Sequence, residues 1–172
     1  MGLGFDVHPF AAGRELWLGG LLFEGEDGLA GHSDGDVVCH AVADALLGAV
    51  ALGDIGDHFP ETALETAGIA GDELLTRTLR LLADVGRAPL SMDITVVCDR
   101  PQIAPRRDEM RERLRLGRIS YVNMAPVFYR LDADVEEISG VPVDRVSVKA
   151  TRPEGLGLVG NGIGCLALAV VG

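Results

Sequence analysis

Three side chains in this 172-residue chain combine residue types and spacing that suit a metal site. Asp6 and His8 are two residues apart in a predicted β-strand over residues 2–8, so both side chains should point to the same face. His40 follows in a predicted helix, and one carboxylate with two imidazoles can bind zinc while leaving its fourth position open. The pattern therefore predicts a catalytic zinc site; the alternative is that His8 is a surface residue before a proline.

The helix that carries His40 is predicted to begin near Asp36. Ser33 is the predicted N-cap, with Asp36 three residues later in the capping-box position. Asp36, His40 and Asp44 are four residues apart, so they should form one stripe along the helix. The stripe has two interpretations: a solvated or salt-bridged face, or a metal ligand oriented by acidic partners.

Composition excludes several classes of function. Apolar residues make up 48% of the chain, which is typical of one globular domain with a proper core. The formal net charge of -11 argues against nucleic acid and anionic membranes as partners. The three cysteines are odd in number and far apart, which favours reduced thiols. Because no leader-like or long apolar stretch is present, the sequence predicts a soluble cytoplasmic protein.

Hydrophobic periodicity and turn residues predict the other elements. A hairpin turns at a glycine pair, and further helices and strands follow it: hairpin 14–24, helices 71–86 and 105–116, strands 90–98, 143–150 and 165–171. The predicted fold class is α+β, a ferredoxin-like sandwich in which helices pack on one face of a single mixed sheet. The glycine-rich run 155–164 precedes a strand and opens no helix, so turns are favoured over a dinucleotide loop.

Several short motifs also stand in register along the chain. The first half contains Gly4-Phe5-Asp6-Val7-His8, His32-Ser33-Asp34-Gly35-Asp36, Asp44-Ala45-Leu46-Leu47-Gly48, Leu52-Gly53-Asp54-Ile55-Gly56 and Phe59-Pro60. The second half adds Lys149-Ala150-Thr151, Glu154 and Leu156-Gly157. Together they resemble the 2-C-methyl-D-erythritol 2,4-cyclodiphosphate synthase family, over roughly residues 1–112 and 140–172.

The resemblance implies a function and an assembly. The family's reaction is cyclisation of 4-CDP-2-C-methyl-D-erythritol 2-phosphate with release of CMP, a phosphorus–oxygen lyase step of non-mevalonate isoprenoid biosynthesis. The family forms homotrimers with active sites between subunits. Zn²⁺ would be held by Asp6, His8 and His40, and a second divalent cation, Mg²⁺ or Mn²⁺, would contact Glu154 and the diphosphate.

The resemblance also implies the site residues. The catalytic residues would be His32, Arg152 and Glu154, with His32 near a helix N-terminus that favours phosphate. The residues expected to bind substrate are Asp6, Val7, His8, His32, Ser33, Asp54, Ile55, Gly56, Phe59, Pro60, Glu61, Thr62, Ala63, Cys98, Asp99, Arg100, Pro101, Gln102, Ile103, Ala104, Thr151, Arg152, Pro153, Glu154, Leu158 and Asn161.

Some positions depart from the family's pattern. Arg152 replaces a usual threonine, Gln102 a usual lysine and Ala63 a usual aspartate, while Asn161 and Ile163 lose two charges. An arginine at position 152 would either neutralise phosphate charge or block the nucleotide. These changes leave a second function open, a catalytically impaired zinc-binding trimer of the same fold.

The chain is predicted to be one domain over 1–172 with an atypical insertion at about 116–139. That segment resembles the start of chorismate dehydratase, and it is either a family-specific surface insertion or a spliced segment without catalytic role. A third function also stays open, a zinc-dependent phosphate-ester hydrolase with Asp36 or Asp44 as its base.

Overall fold

The structure is a computed structural model that describes residues 1–60, 62–115 and 141–172. In these ranges the strands are β1 (Gly2–Ala11), β2 (Leu16–Leu18), β3 (Leu21–Phe23), β4 (Gly28–Leu29), β5 (Pro89–Val97), β6 (Val146–Thr151) and β7 (Gly162–Val171). The helices are α1 (Val37–Ala49), α2 (Ile55–His58), α3 (Gly71–Asp84) and α4 (Arg107–Leu114), with short 3-10 turns at Leu64–Thr66, Ala104–Arg106 and Val143–Arg145.

The main sheet has five strands in the order β4-β1-β7-β5-β6, and β2 and β3 form a separate hairpin. Strands β4, β1, β7 and β5 pair antiparallel along that order, whereas β5 and β6 are parallel, so the sheet is mixed. Helix α1 packs across β1 and β7 and is covered in turn by α3. The α+β prediction is confirmed; its ferredoxin-like grouping stays a prediction.

The side chains of β1 alternate between two faces of the sheet, one toward α1 and one away from it. Gly4 faces α1 so closely that a Cβ atom there would lie 2.0 Å from the carbonyl oxygen of Ala41, and only glycine permits this packing. Asp6 and His8 share this face, because side chains two residues apart in a strand point the same way. The opposite face carries Phe5, which is 58% exposed, and Leu3, which is 63% exposed.

The element predictions hold with shifted ends. Helix 105–116 begins as a 3-10 turn and becomes α-helical only over Arg107–Leu114, and strand 143–150 likewise begins with a 3-10 turn. The last strand begins at Gly162, three residues before the predicted start. The predicted insertion at about 116–139 lies outside the described residues. In the described part of the chain, no helix has the length and apolar character to cross a membrane.

The predicted N-cap of α1 is wrong. Asp36, not Ser33, caps the helix, and its carboxylate accepts hydrogen bonds from the main-chain N–H groups of Val38 and Cys39. The same carboxylate accepts from Gly19 at 2.8 Å and Gly20 at 2.7 Å, in the turn of the β2–β3 hairpin. A carboxylate has enough lone pairs for four donors and a hydroxyl does not, so the fully buried Asp36 takes this position.

Candidate active site

Strand β1 and helix α1 bring the three predicted metal ligands together. The carboxylate Oδ2 of Asp6 lies 2.9 Å from Nε2 of His8 and 2.9 Å from Nδ1 of His40. The two ring nitrogens are 3.3 Å apart. Asp6 and His8 are half-buried and His40 is buried, so one side of the cluster is open to solvent.

This geometry fits a tetrahedral metal ion. Ligand atoms at about 2.0–2.1 Å from zinc lie about 3.3 Å apart at the corners of a tetrahedron. The two imidazole nitrogens already have this separation, whereas Oδ2 of Asp6 lies at a shorter distance of 2.9 Å from each of them. The three residues thus form a group that could hold a metal ion, with all ligand atoms within 4.8 Å of one another. The prediction that Asp6, His8 and His40 share one point in space is confirmed, whereas the metal's identity stays a prediction.

The outer partner of His40 is a hydroxyl group. Nε2 of His40 lies 2.9 Å from Oγ of Ser33, and this oxygen also accepts a 3.0 Å hydrogen bond from the N–H of Gly35. If Nδ1 offers its lone pair to a metal, the ring proton lies on Nε2 and is donated to Ser33. The prediction of acidic partners for His40 on its own helix is therefore wrong, since Asp36 binds main-chain N–H groups and Asp44 binds another loop.

Asp6 and the two histidines shift one another's pKa values. Burial by itself would raise the pKa of Asp6, but hydrogen bonds and charge from His40 and His8 lower it well below the usual range. The pKa of His8 is raised, chiefly by its hydrogen bond to Asp6 and despite burial, with a further contribution from a hydrogen bond to the main chain of Ala30. Asp6 is therefore an anion throughout the physiological pH range.

The loop after α1 contains the residues predicted to bind the polyol. Asp54 caps α2 by accepting a 3.1 Å hydrogen bond from the N–H of Asp57. The N–H of Ile55 donates to Oδ1 of Asp44 at 2.8 Å, so this loop is attached to the helix that carries His40. Gly56 is exposed at the start of the same short helix.

The rest of this predicted loop lies further along the same surface. The Phe59 ring is half-buried beside His58, with ring centroids 6.4 Å apart. Pro60 and Thr62 are exposed, and Ala63 is half-buried. Glu61 lies outside the described residues.

The predicted nucleotide-binding residues surround one cavity of about 240 Å³. It lies beyond the carboxyl ends of the parallel strands β5 and β6, a place where α/β proteins often bind nucleotides. Its lining contains Cys98, Asp99, Pro101, Gln102, Ile103, Ala104, Ala150, Thr151 and Arg152. Eight of these nine residues were predicted from the sequence, and Ala150 is the addition.

Arg100 does not line this cavity. Its guanidinium forms ion pairs with Glu26 at 2.9 Å and Asp27 at 3.0 Å, and it lies 4.1 Å from the centre of the Phe10 ring. These contacts tie the loop after β5 to the loop before β4. Arg100 therefore supports one wall of the site from outside.

The other predicted residues lie on surrounding loops. His32 and Glu154 are exposed, and among the described residues neither forms a side-chain hydrogen bond or ion pair with the three metal ligands. Pro153 is buried, and Leu158 is 67% exposed. The main-chain oxygen of Asn161 accepts a 2.9 Å hydrogen bond from the N–H of Phe10, which joins the glycine-rich run to β1. Val7 is exposed on the face of β1 opposite the ligands.

Comparison with known proteins places this site in a family. The YgbB family model matches residues 1–117. A 2-C-methyl-D-erythritol 2,4-cyclodiphosphate synthase of Symbiobacterium thermophilum is 44% identical over 170 residues, covering 99% of this chain and 95% of that protein. The chain belongs to the YgbB family. The resemblance of its motifs to the cyclodiphosphate synthases is thereby confirmed.

Other YgbB relatives differ in length or are known as structures. A bifunctional enzyme IspD/IspF of Caulobacter vibrioides is 43% identical over 171 residues, but the chain spans 39% of that protein's length. A solved structure of a 2C-methyl-D-erythritol-2,4-cyclodiphosphate synthase in a CDP-bound form superposes with a TM-score of 0.79 at 30% identity, covering 99% of both chains. The fold and the family are therefore shown together.

Sequence reasoning missed two contributors to the site. The bond between Ser33 and His40 depends on the turn of the loop before α1, for which no spacing rule exists. Arg14, in the segment before β2, donates hydrogen bonds to the main-chain oxygens of Gly31 and Ser33. An isolated arginine in a predicted hairpin gives no signal of such a role.

Proposed function

We propose that the chain cyclises 4-CDP-2-C-methyl-D-erythritol 2-phosphate to 2-C-methyl-D-erythritol 2,4-cyclodiphosphate and releases CMP, as a lyase of non-mevalonate isoprenoid biosynthesis. The observation that carries the proposal is the convergence of Asp6, His8 and His40 on one open point, at the sheet end that also carries the cavity of about 240 Å³. The 44% identity to a named synthase supports it. The proposal treats residues 1–172 as one domain with an insertion at about 116–139.

In this reaction an oxygen of the 2-phosphate attacks the β-phosphorus, and the bond from that phosphorus to the bridging oxygen of CMP breaks. Zn²⁺ bound by Asp6, His8 and His40 would supply Lewis-acid stabilisation of charge on a phosphate oxygen. Within the protein, Asp6 provides the anionic ligand and the two histidines provide neutral nitrogen ligands. No protein nucleophile is required.

Residues outside the metal site would handle the other charges. His32 and Arg152 are proposed to stabilise the transition state, and Glu154 to contact a second cation, Mg²⁺ or Mn²⁺, on the diphosphate. The exposure of all three side chains leaves them accessible to a phosphate ester. Arg152 lines the cavity, where a guanidinium neutralises phosphate charge although its family position usually carries a threonine.

We propose a homotrimer with sites completed by neighbouring subunits. The face of β1 away from α1 exposes Leu3, Phe5 and Val7, and Leu166 of β7 is 43% exposed. In addition, Val7 pairs with Gly164, Gly164 with Val97, and Val97 with Thr151. Two strand spacings therefore separate the metal strand from the β5 side of the cavity, and three separate it from the β6 side. At about 4.8 Å per spacing these distances are about 10 Å and about 14 Å, which leaves room for a neighbouring subunit to complete the site.

The proposal places the reaction in the cytoplasm with a soluble cytidine diphosphate ester as substrate. All three cysteines of the chain are free and buried, which suits a reducing compartment. The net charge of -11 disfavours nucleic acid and anionic membranes.

The deciding experiment incubates the full chain with the cytidine substrate, Zn²⁺ and Mg²⁺, and follows the products by ³¹P NMR. We expect CMP and a cyclic diphosphate, with turnover lost in Asp6→Asn and kept in the exposed control Asp84→Asn. CMP together with an open-chain phosphate would instead indicate the hydrolase. Substrate binding without any product would indicate the impaired trimer. The hydrolase would need Asp36 or Asp44 as its base. Both carboxylates are already engaged with main-chain N–H groups, which argues against that alternative.

The assembly is tested separately. Co-expression of His40→Ala with a chain altered in the cavity, Ala104→Trp, should give mixed trimers that regain part of the activity, because one site then combines two intact halves. Sedimentation of the unaltered chain should give three times the monomer mass. A monomeric active protein would contradict the assembly and leave the reaction standing.

A further inference from the structure

The outer contacts of both metal-site histidines come from a single short loop. Residues 30–33 lie between β4 and α1, and we call this segment the histidine loop. Ser33 bonds Nε2 of His40 at 2.9 Å, and the main chain of Ala30 contributes to the raised pKa of His8. A Cβ atom at Gly31 would lie 3.2 Å from Cε1 of His8, so this glycine packs directly against the ring. A shift of the loop would therefore move both imidazoles.

One side chain from outside the loop holds it in place. Arg14 donates from Nη1 to the main-chain oxygen of Gly31 at 2.7 Å and from Nη2 to that of Ser33. The two bonds diverge from one planar guanidinium, so they fix the spacing of two carbonyl groups at once. Within the described residues, Arg14 forms no ion pair with a carboxylate that would draw it away.

The position of Arg14 is itself fixed by the sheet. The N–H of Gly28 in β4 donates a 2.9 Å hydrogen bond to the main-chain oxygen of Arg14. A Cβ atom at Gly28 would lie 2.3 Å from the main-chain oxygen of Glu15, so the two segments touch backbone to backbone. The guanidinium thus extends from a rigid base to the histidine loop.

We propose that Arg14 is a positioning residue of the metal centre, which clamps the histidine loop so that Gly31 and Ser33 hold the rings of His8 and His40 in place. Outer partners of this kind fix the tautomer and direction of a ligand, and their loss typically costs about 10- to 100-fold in metal affinity. The inference rests on the metal site of the proposed function, and it is independent of which reaction occurs there.

The test measures metal binding on the full chain with Zn²⁺ or Co²⁺ alone. The variants are Arg14→Gln, Arg14→Lys and Ser33→Ala, and the matched control is Arg87→Gln, an exposed arginine beside the far end of α1. Zn²⁺ affinity is read by chelator competition and coordination geometry by the visible spectrum of bound Co²⁺. Melting of the metal-free forms establishes that each variant is folded.

We expect Arg14→Gln and Ser33→Ala each to weaken Zn²⁺ binding by about tenfold or more and to broaden the Co²⁺ bands. Arg14→Lys keeps the charge but lacks the two diverging N–H groups of a guanidinium, so it should bind Zn²⁺ more weakly than the unaltered chain. Arg87→Gln should bind Zn²⁺ as tightly as the unaltered chain. In the zinc form, the NMR signal of the His40 Nε2–H should exchange faster with water in Arg14→Gln.

Two results would overturn this inference. One is an unchanged affinity and spectrum in a folded Arg14→Gln, and the other is full recovery of affinity in Arg14→Lys, which would show that charge alone matters. If Arg14→Gln does not fold, the comparison of Arg14→Lys with Ser33→Ala decides the matter by the same criteria. Failure of the unaltered chain to bind Zn²⁺ would instead refute the metal site of the proposed function.

Discussion

The carboxylate of Asp44 accepts a 2.8 Å hydrogen bond from the main-chain N–H of Ile55. This bond joins helix α1, which carries His40, to the loop proposed to bind the polyol. Asp44 is half-buried, and burial raises its pKa although the bond to Ile55 opposes that change. The Asp44 carboxylate thus links the helix of the metal site to the loop proposed to bind the polyol.

Asp44→Ala should therefore raise KM while leaving zinc content unchanged. A hydrogen bond to a charged group contributes about 1.5–3 kcal/mol, so we expect KM to rise about tenfold or more with a smaller change in kcat. Steady-state kinetics and metal analysis measure the two effects, with the exposed Asp84→Ala as the control. Loss of zinc in Asp44→Ala would show that the residue acts on the metal site instead.

Asp36→Ala should be among the most destabilising substitutions in the chain. It leaves four main-chain N–H groups without their acceptor, at the start of α1 and in the β2–β3 turn. A lost N-cap costs about 1 kcal/mol and each buried unsatisfied donor about 1–3 kcal/mol, so a loss above about 3 kcal/mol is expected.

Urea unfolding measures this free energy. The comparison is Asp108→Ala, whose carboxylate is 93% exposed and forms only a surface ion pair with Arg111, worth at most about 1 kcal/mol. Equal losses in the two variants would contradict the anchoring role of Asp36.

Zinc affinity should fall as the pH is lowered from 8 to 6. A metal binds the neutral imidazole, and the hydrogen bond to Asp6 raises the pKa of His8, so protons compete with the metal at a higher pH than they would for an ordinary histidine. Asp6 stays ionised, because its own pKa is lowered by both histidines despite burial. Below the His8 pKa the proton on this one residue should decrease the affinity by up to about tenfold per pH unit. Chelator competition from pH 8 to pH 6 measures the Zn²⁺ affinity. An affinity that does not change over this range would contradict the raised pKa of His8.

The three thiols should be unreactive in the folded protein. Burial, together with the nearby Asp99, raises the pKa of Cys98 to about 11, so only about one molecule in a thousand carries the thiolate at pH 8. Burial also raises the pKa of Cys39 and Cys165. A disulfide reagent at pH 8 should label no cysteine quickly in the native chain and all three in urea. Rapid native labelling of Cys98 would indicate that the cavity wall opens.

The sequence was enough to predict the three metal ligands, but it did not predict the contacts that orient their rings. The pairing of Asp6 with His8 follows from the two-residue period of a strand. His40 joined them by its residue type and by the family resemblance, because a helical period does not show which strand a helix residue faces. By contrast, the contact of Ser33 with His40 depends on Gly35, whose φ of 79° turns the loop where a Cβ atom would lie 2.8 Å from the oxygen of Leu29. Such a turn is decided by packing between distant segments.

Long-range partners explain the other differences. Asp36 was expected to serve its own helix only, yet half of its hydrogen bonds go to a turn 16–17 residues earlier in the chain. The clamp by Arg14 likewise spans 17 and 19 residues. Single-sequence rules describe neighbours within one element, so they could not place contacts of this length.

Strand β1 has a consequence for how this gene can change by insertion and deletion. Its even-numbered residues face the helix and include the ligands, whereas its odd-numbered residues form the apolar face proposed for assembly. Loss of a single codon between Gly4 and Asp6 would exchange the two sets, sending carboxylate and imidazole into the proposed subunit contact and apolar side chains toward the cation. Within β1, only an insertion or deletion of an even number of residues would keep the ligands on the face toward the helix.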